Sequence, residues 1–283
     1  MCCVETGHAR WRKRSVTRSL RFRATEYPGG LQQPPHAHGL QISLVLHGSL
    51  QESVGGAVAT ACALSIGVKD AGVVHADRFG PERVAIAQLS LPTGNLAELI
   101  DSDDRASDWR WIHASAVARP FLRIVTRAAN GTDTFAIDDT DVVDLVASLT
   151  ARRAEAVRGA PPRWLADAVD ELRATWRAGI RVSDVATRVG VHPVYLARCF
   201  RRWYGHGVSD ELRSLRQRAA AEAIANGRQT LSAIAHASGY ADESHLSREF
   251  RAMAGSAPGH FRRALRKLRF HPGSANVVAR IQA

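Results

Sequence analysis

With 283 residues, 45% of them hydrophobic, and a net charge of +11, the chain is long enough for two domains and apolar enough to fill a core in each. It holds no apolar run of about 18 residues and no amphipathic Lys/Arg helix with a Trp/Phe/Leu face, so a membrane is not the expected anionic partner. Cys2, Cys3, Cys62 and Cys199 form neither a CxxC pair nor an evenly spaced framework, which favours a reducing cytoplasm.

Residues 1–24 read as a basic tail. The stretch to Thr25 carries Arg10, Arg12, Lys13, Arg14, Arg18, Arg21 and Arg23 against Glu5 alone, and it lacks the apolar segment of a secretory signal. Either a solvated tail or a DNA-touching arm fits that charge. From Leu20 to Leu91 the pattern is short β-rich runs broken by glycine, such as Gln41-Ile42-Ser43-Leu44-Val45-Leu46 followed by Gly48, Gly55-Gly56, Gly67 and Gly72. Alternation and frequent turn signals predict a small antiparallel β-barrel. From Pro92 to Gly159 the spacing turns helical, through Leu96, Leu99 and Ile100, then Phe121, Leu122, Ile124 and Val125, then Val142, Val143, Leu145, Val146 and Leu149. These are core spacings first and a dimer surface second. Residues 25–150 are thus expected to form one domain and 151–163, with Arg152, Arg153, Arg158, Gly159 and Pro161-Pro162, a linker.

Between Arg181 and Arg263 one helical pattern occurs twice. Val185-Ala186, Gly190, Leu196, Arg198, Phe200, Arg201 and Gly205 are echoed by Ile234-Ala235, Gly239, Leu246, Arg248, Phe250, Arg251 and Gly255. The apolar pair gives a short helix its buried side, the glycine permits a tight turn with positive φ, and Leu and Phe at i and i+4 share the buried face of a second helix. Two tandem helix-turn-helix units are predicted. The second turn is one residue longer, consistent with Asp242 as an N-cap. Charge supports the division: residues 1–150 hold 15 basic and 16 acidic residues, residues 151–283 hold 23 and 11. So basic a half attracts a polyphosphate.

The stretch from Trp164 to Arg263 resembles the DNA-binding domain of the AraC/XylS family of bacterial transcription regulators. The resemblance is carried by Ile234-Ala235, by Ser238 through Arg251, and by Gly255-Ser256-Ala257-Pro258 with Phe261-Arg262. Ala257 departs from the family's Thr or Ser cap, and Gly205-His206-Gly207-Val208 lacks the corresponding proline. The resemblance implies seven helices over 164–266, with a connector from Asp210 to Asn226 holding two recognition helices on successive major grooves, about 34 Å apart; residues 267–283 are left as a tail. Of the first recognition helix, His192 to Trp203, Arg198 is the candidate for a guanine, with Val194 and Ala197 offering apolar contact. The second, Asp242 to Ala254, presents Ser244, His245 and Arg248 for polar base contacts. Arg201, Arg202 and Arg251 are candidates for phosphate.

In the first half, Gly30 through His38 resembles the first motif of the cupins and Gly67 through His75 the second. A cupin barrel would bring His36, His38 and His75 together as an effector or divalent-metal site, although the first motif's glutamate is absent. The fold expected is therefore α+β: a cupin-like antiparallel barrel with helices, then an all-α domain of two helix-turn-helix units. The function expected is that of a cytoplasmic, sequence-specific transcription regulator without enzymatic activity and with no required cofactor. Its partners would be promoter DNA and a small effector, with RNA polymerase and a second copy of the chain as further candidates. The alternative is a cupin metalloenzyme built on the three histidines.

Overall fold

Strands form where glycine punctuates β-rich sequence, and helices where the spacing turns to three and four. The computed structural model describes residues 20–91, 109–113, 115–130, 139–154, 161–178, 180–268 and 270–273. The basic tail to residue 19, the Leu96, Leu99 and Ile100 run, residues 155–160 of the linker and the last ten residues lie outside them. The strands are β1 (Arg21–Tyr27), β2 (Gln32–His36), β3 (Gln41–His47), β4 (Ser49–Val54), β5 (Ala57–Cys62), β6 (Ile66–Lys69), β7 (His75–Phe79), β8 (Val84–Ser90) and β9 (Trp109–Ile112). Helices α1 (Ser115–Asn130), α2 (Asp139–Ala154) and α3 (Arg163–Thr175) follow. After a 3₁₀ turn at Trp176–Ala178 come α4 (Val182–Arg188), α5 (Pro193–Tyr204), α6 (Val208–Asn226), α7 (Leu231–Ala237), α8 (Glu243–Ala254) and α9 (Pro258–Lys267). The described chain ends on a short strand, β10 (Phe270–Pro272).

The α+β class is as expected, but the barrel does not close. The strands form two sheets, one in the order β10-β1-β8-β3-β6-β9 and one in the order β2-β7-β4-β5. Proline explains one of the open edges: Pro34 and Pro35 deprive β2 of two backbone donors, and its register with β7 shifts between Gln33 and His36, so β2 can only be an edge strand. The outermost strand of the larger sheet is also unexpected. Residues inside the predicted C-terminal tail return to pair in parallel with β1, Ala24 opposite Phe270.

The central strand β3 is buried on both faces, and the two sets of side chains enter different cores. Val45 faces the smaller sheet, joining Tyr27, Leu50, Phe79, Val84 and Ile86. Ile42, Leu44 and Leu46 face the helices, where they join Ala85, Ala87 and Leu89 of β8. Strand alternation alone produces this division. Onto the helical face pack Phe121, Leu122 and Val125 of α1, Val142, Leu145 and Leu149 of α2, and then Ala220, Ile224, Ile234, Leu246, Phe250 and Phe261 from α6 to α9. The second helix pair thus shares one continuous core with the β-rich half. The first has its own, built from Leu165, Leu172, Val185, Leu196, Phe200 and Leu212. Of the α1 and α2 residues whose spacing offered a dimer surface, all but the half-buried Val143 enter the shared core.

At the far edge, Gly67 of β6 lies opposite Trp111 of β9. A Cβ at Gly67 would sit 2.9 Å from the indole ring, so the glycine makes room for the tryptophan. Gly67→Ala is expected to displace that ring at a cost of about 1–3 kcal/mol, seen as a shift in tryptophan emission and a lower urea midpoint. An unchanged emission spectrum would contradict it.

Candidate nucleic-acid interface and sensor site

The two helix pairs are built alike. In the first, Val185 and Ala186 of α4 are buried, Gly190 turns the chain at φ +71°, and Val191 N donates to Ala186 O at 2.9 Å. In the second, Ile234 and Ala235 of α7 are buried, Gly239 has φ +74°, and Tyr240 N donates to Ala235 O, also at 2.9 Å. Only glycine adopts this left-handed turn without strain. The helices that follow start differently. His192 caps α5, accepting from Val194 N at 3.3 Å with Pro193 in the first turn. Asp242 caps α8, accepting from His245 N at 2.7 Å, which is the role its place in the longer turn predicted. Ala257 offers α9 no side-chain cap, and Pro258 alone pre-sets its first turn.

Burial of Leu196 with Phe200, and of Leu246 with Phe250, turns the opposite faces outward. Arg198, Arg201 and Arg202 of α5 are exposed, as are Ser244, Arg248 and Arg251 of α8; Ala197 is half-buried. His245 is half-buried too, its ring edge-on to Tyr240 at 5.2 Å and its Nδ1 turned back toward Ala241 N. It is more tied to its own turn than its helical position suggests. Val194 is 67% exposed and Tyr195 44%, a large apolar pair at the start of α5. Tyr195 stacks on Trp164 of α3 at 5.5 Å and carries the Arg198 guanidinium 5.8 Å from its ring centre. Sequence reasoning passed over Tyr195, although an aromatic between Val194 and Leu196, off the buried i to i+4 seam, was a readable signal. On the other pair, Arg213 of α6 reaches Glu249 at 3.5 Å and ties the long helix to α8.

In the β-rich half the three histidines do meet. The ring centres of His36 and His75 are 4.2 Å apart, those of His38 and His75 4.9 Å. The group that completes the cluster was not anticipated. Lys69, buried in β6, donates from Nζ to His75 Nε2 at 3.0 Å and to Glu52 Oε2 at 2.5 Å. Glu52, from β4, also accepts from the indole N–H groups of Trp109 and Trp111. With Nε2 accepting, His75 holds its proton on Nδ1, which donates to Val73 O at 3.0 Å. Asp77 lies 3.9 Å from both His36 Nε2 and His75 Nε2, and its Oδ1 is buried without a hydrogen bond. His36, His75 and Asp77 are spaced so that one ion could touch all three. Yet His75 Nε2, the atom a metal would need, already faces the Lys69 ammonium. The residues therefore fit a cation-filled polar nest better than a metal centre.

Burial sets the titration of this nest. It pushes the imidazoles of His38 and His75 down to about 4 and about 3, with the Lys69 charge adding to the effect, and it lifts the Asp77 carboxyl to about 7. His113, beside α6, is lowered to about 4 by burial and then by Arg218 and Arg173. Below pH 6.5 the unfolded chain takes up protons on three histidines that the folded chain refuses, so their contribution to stability falls as the pH falls. Asp77 acts oppositely: the folded chain keeps a proton that the unfolded chain releases, so its contribution falls as the pH rises from about 4 to 7. The histidines outnumber it. Urea midpoints are expected to drop from about pH 6.5 to 4.5, and Asp77→Asn to steepen that drop. A variant with a shallower profile than the parent would overturn the assignment.

Residues 185–264, from the first turn of α4 to the middle of α9, match the model of a helix-turn-helix domain family. The chain is also 33% identical over 108 residues to an AraC-like transcription regulator of Streptomyces lividans. The segment is a helix-turn-helix domain. The alignment spans 35% of this chain and 36% of that relative, about a third of each. Solved structures give ToxT of Vibrio cholerae O395, bound to a naphthalenyl-butenoic acid, at 11% identity over 87% of this chain and 99% of that one, with a TM-score of 0.37. The C-terminal domain of AraT, a response regulator of Geobacillus stearothermophilus, is 23% identical over 40% of this chain and 91% of its own, with a TM-score of 0.36. The DNA-binding domain of AdpA in complex with a target DNA is 23% identical over 39% and 97%, also at 0.36. In this helix-turn-helix domain both glycine turns and both buried Leu-Phe seams fall within the matched residues. Among the described residues, no helix is long and apolar enough to cross a membrane.

Proposed function

We propose that the chain is a sequence-specific DNA-binding transcription regulator whose two helix-turn-helix units read neighbouring major grooves, and whose cupin-like first half senses a small molecule. One observation carries the reading. Inside a helix-turn-helix match, each second helix buries a Leu-Phe seam and holds an arginine, Arg198 or Arg248, outward at the same place in the repeat. A guanidinium so placed suits the paired acceptors of a guanine. Arg201, Arg202 and Arg251, one turn further on, suit the phosphates. Val194 and Tyr195 add an apolar edge fit for a thymine methyl, beside Ala197; Ser244 is the polar counterpart on α8. RNA polymerase and a second copy of the chain complete the partners in this reading, and the cytoplasm is its place.

The metalloenzyme alternative has less support, because Lys69 occupies the side of His75 on which an open metal site would have to form. In this reading the domain division follows the sequence, with residues 164–266 as the DNA-binding part. The test is fluorescence anisotropy of the intact chain on its own upstream region. Binding is expected to weaken linearly in log–log form as salt rises. Arg248→Ala should lose about 1–3 kcal/mol of preference at one base position, and Arg251→Ala should weaken every sequence alike and reduce the salt slope by about 1. Binding that ignores salt, or an Arg248→Ala loss equal on all sequences, contradicts the assignment.

A further inference from the structure

Among the described residues, four strands stand at sheet edges: β10 and β9 on the larger sheet, β2 and β5 on the smaller. An exposed edge offers unpaired backbone N–H and C=O groups to any other strand, and proteins commonly blunt it with proline, charge or brevity. Three of these four edges are blunted. β2 carries Pro34 and Pro35, β10 has three residues with Pro272 among them, and β9 has four residues. β5 has no such protection: Ala57–Cys62 is six residues long, holds neither proline nor charge, and pairs with β4 without a bulge.

The surroundings of β5 are neutral as well. On a chain of net charge +11, no charged residue occurs from Gly55 to Val68. Val58 is 64% exposed, Thr60 is exposed beside it, and their partners on β4, Ser53 and Gln51, are uncharged. The hairpin decides which backbone groups are free. Gly55 and Gly56 have φ of +55° and +88°, a two-residue turn that makes Val54 and Ala57 a hydrogen-bonded pair. Alternation then aims the N–H and C=O groups of Ala57, Ala59 and Ala61 at β4, and those of Val58 and Thr60 outward. Cys62 keeps that phase, its N–H donating to Ser65 Oγ at 3.1 Å instead of to β4.

We infer that β5 is the edge through which two copies of this chain associate, each β5 pairing antiparallel with the other about a two-fold axis. Val58 then lies opposite the partner's Thr60, about four hydrogen bonds close the ladder, and the two smaller sheets become one. A second copy suits this edge because an uncharged strip is where two strongly positive chains meet with least repulsion, and because the helix faces whose spacing offered a dimer surface already lie in the shared core. The inference rests on the regulator reading, which includes a second copy, and names the surface that copy uses. One strand pair buries less than the roughly 1,200 Å² of a stable complex, so the dimer is weak in solution. On DNA its effect grows, since two chains held on one promoter are already close together.

The experiment is sedimentation velocity on the intact chain over a concentration series, with melting temperature and anisotropy on the upstream DNA followed alongside. The parent is expected to dimerise with a Kd of about 10–100 μM. Val58→Lys and Val58→Glu, at an exposed position, should each keep the parent's melting temperature and weaken the dimer about tenfold or more. An equimolar mixture of the two should recover it, because the two-fold pairing brings the two side chains within reach of each other. Thr60→Pro, which removes only an outward N–H, should weaken the dimer as the single charges do. A parent that stays monomeric, charged variants that dimerise as the parent does, or a mixture as weak as its components overturns the inference. Salt-sensitive DNA binding by a monomeric parent leaves the regulator reading standing; a dimer that binds no DNA overturns that reading and leaves the edge.

Discussion

Replacing Glu52 by alanine is expected to destabilise the protein by about 3–5 kcal/mol, the usual loss when one partner of a buried ion pair is removed. Three donors converge on this carboxylate: the Lys69 ammonium and the indole N–H groups of Trp109 and Trp111. Without it, Lys69 is left charged in a site where both partners are almost wholly buried. Asp77 limits the damage. Burial first, and then the Glu52 charge, lift its carboxyl to about 7, so that it is partly protonated at neutral pH, and once that acid is gone it can ionise further beside the ammonium. The loss should therefore fall at the low end of the range for Glu52→Gln, which also keeps an acceptor for the indoles. Lys69→Met in the Glu52→Gln background should recover most of it, since an apolar chain of similar length needs no counter-charge. Urea unfolding of the parent, Glu52→Gln, Lys69→Met and the double variant forms a double-mutant cycle. A single variant within about 1 kcal/mol of the parent, or a double variant worse than both singles, would show that the pair is not held as described.

The second large effect concerns the two aromatic anchors that the repeat places at equivalent positions. Phe200→Ala and Phe250→Ala should each cost about 3–5 kcal/mol as buried ring deletions, but the consequences should differ. Phe250 is part of the core that runs unbroken into α1, α2 and the six-stranded sheet, with Phe261 at 5.5 Å. Its loss should lower one transition seen equally in near-ultraviolet circular dichroism and in helical signal. Phe200 belongs to the smaller core of α3 to α5 and the start of α6. Its loss should release an earlier step, reported by Trp164, Trp176 and Trp203, while the sheet persists. If the two variants gave superimposable unfolding curves, the division into two cores would have no thermodynamic meaning.

Much of this was readable from residue spacing. The glycines at 190 and 239, the Leu-Phe seams and the Asp242 cap are local signals, each decided within a turn or two of chain, and they stand where the pattern put them. The β-rich half was readable as strands, yet not as an open pair of sheets, because closure depends on which edges pair. Pro34-Pro35 was visible as a motif beside the histidines, but its effect on an edge was not drawn from it. The polar nest was half readable. His36, His38 and His75 follow from motif resemblance, whereas Glu52, Lys69 and Asp77 come from three strands whose facing depends on sheet order. The shared core was hidden for a similar reason: amphipathic spacing tells that a helix face is buried, not what buries it. The return of Phe270 to β1 rests on three residues with no periodicity of their own.

The long helix α6 enters both cores, with Val208 and Leu212 in one and Ala220, Ala221 and Ile224 in the other. At the second end it is also fastened to the sheet, where Glu222 pairs with His47 and accepts from Gly48 N at 3.1 Å. The result resembles a caliper with one fixed jaw and one adjustable jaw. The jaw carrying α8 is seated on the sheet's own core, and the jaw carrying α5 is held at the opposite end of the shaft by an independent set of contacts. In the proposed reading, insertion of a base pair between two operator half-sites would be accommodated at the α5 side, and the half-site facing α8 would set the register of the whole protein on DNA.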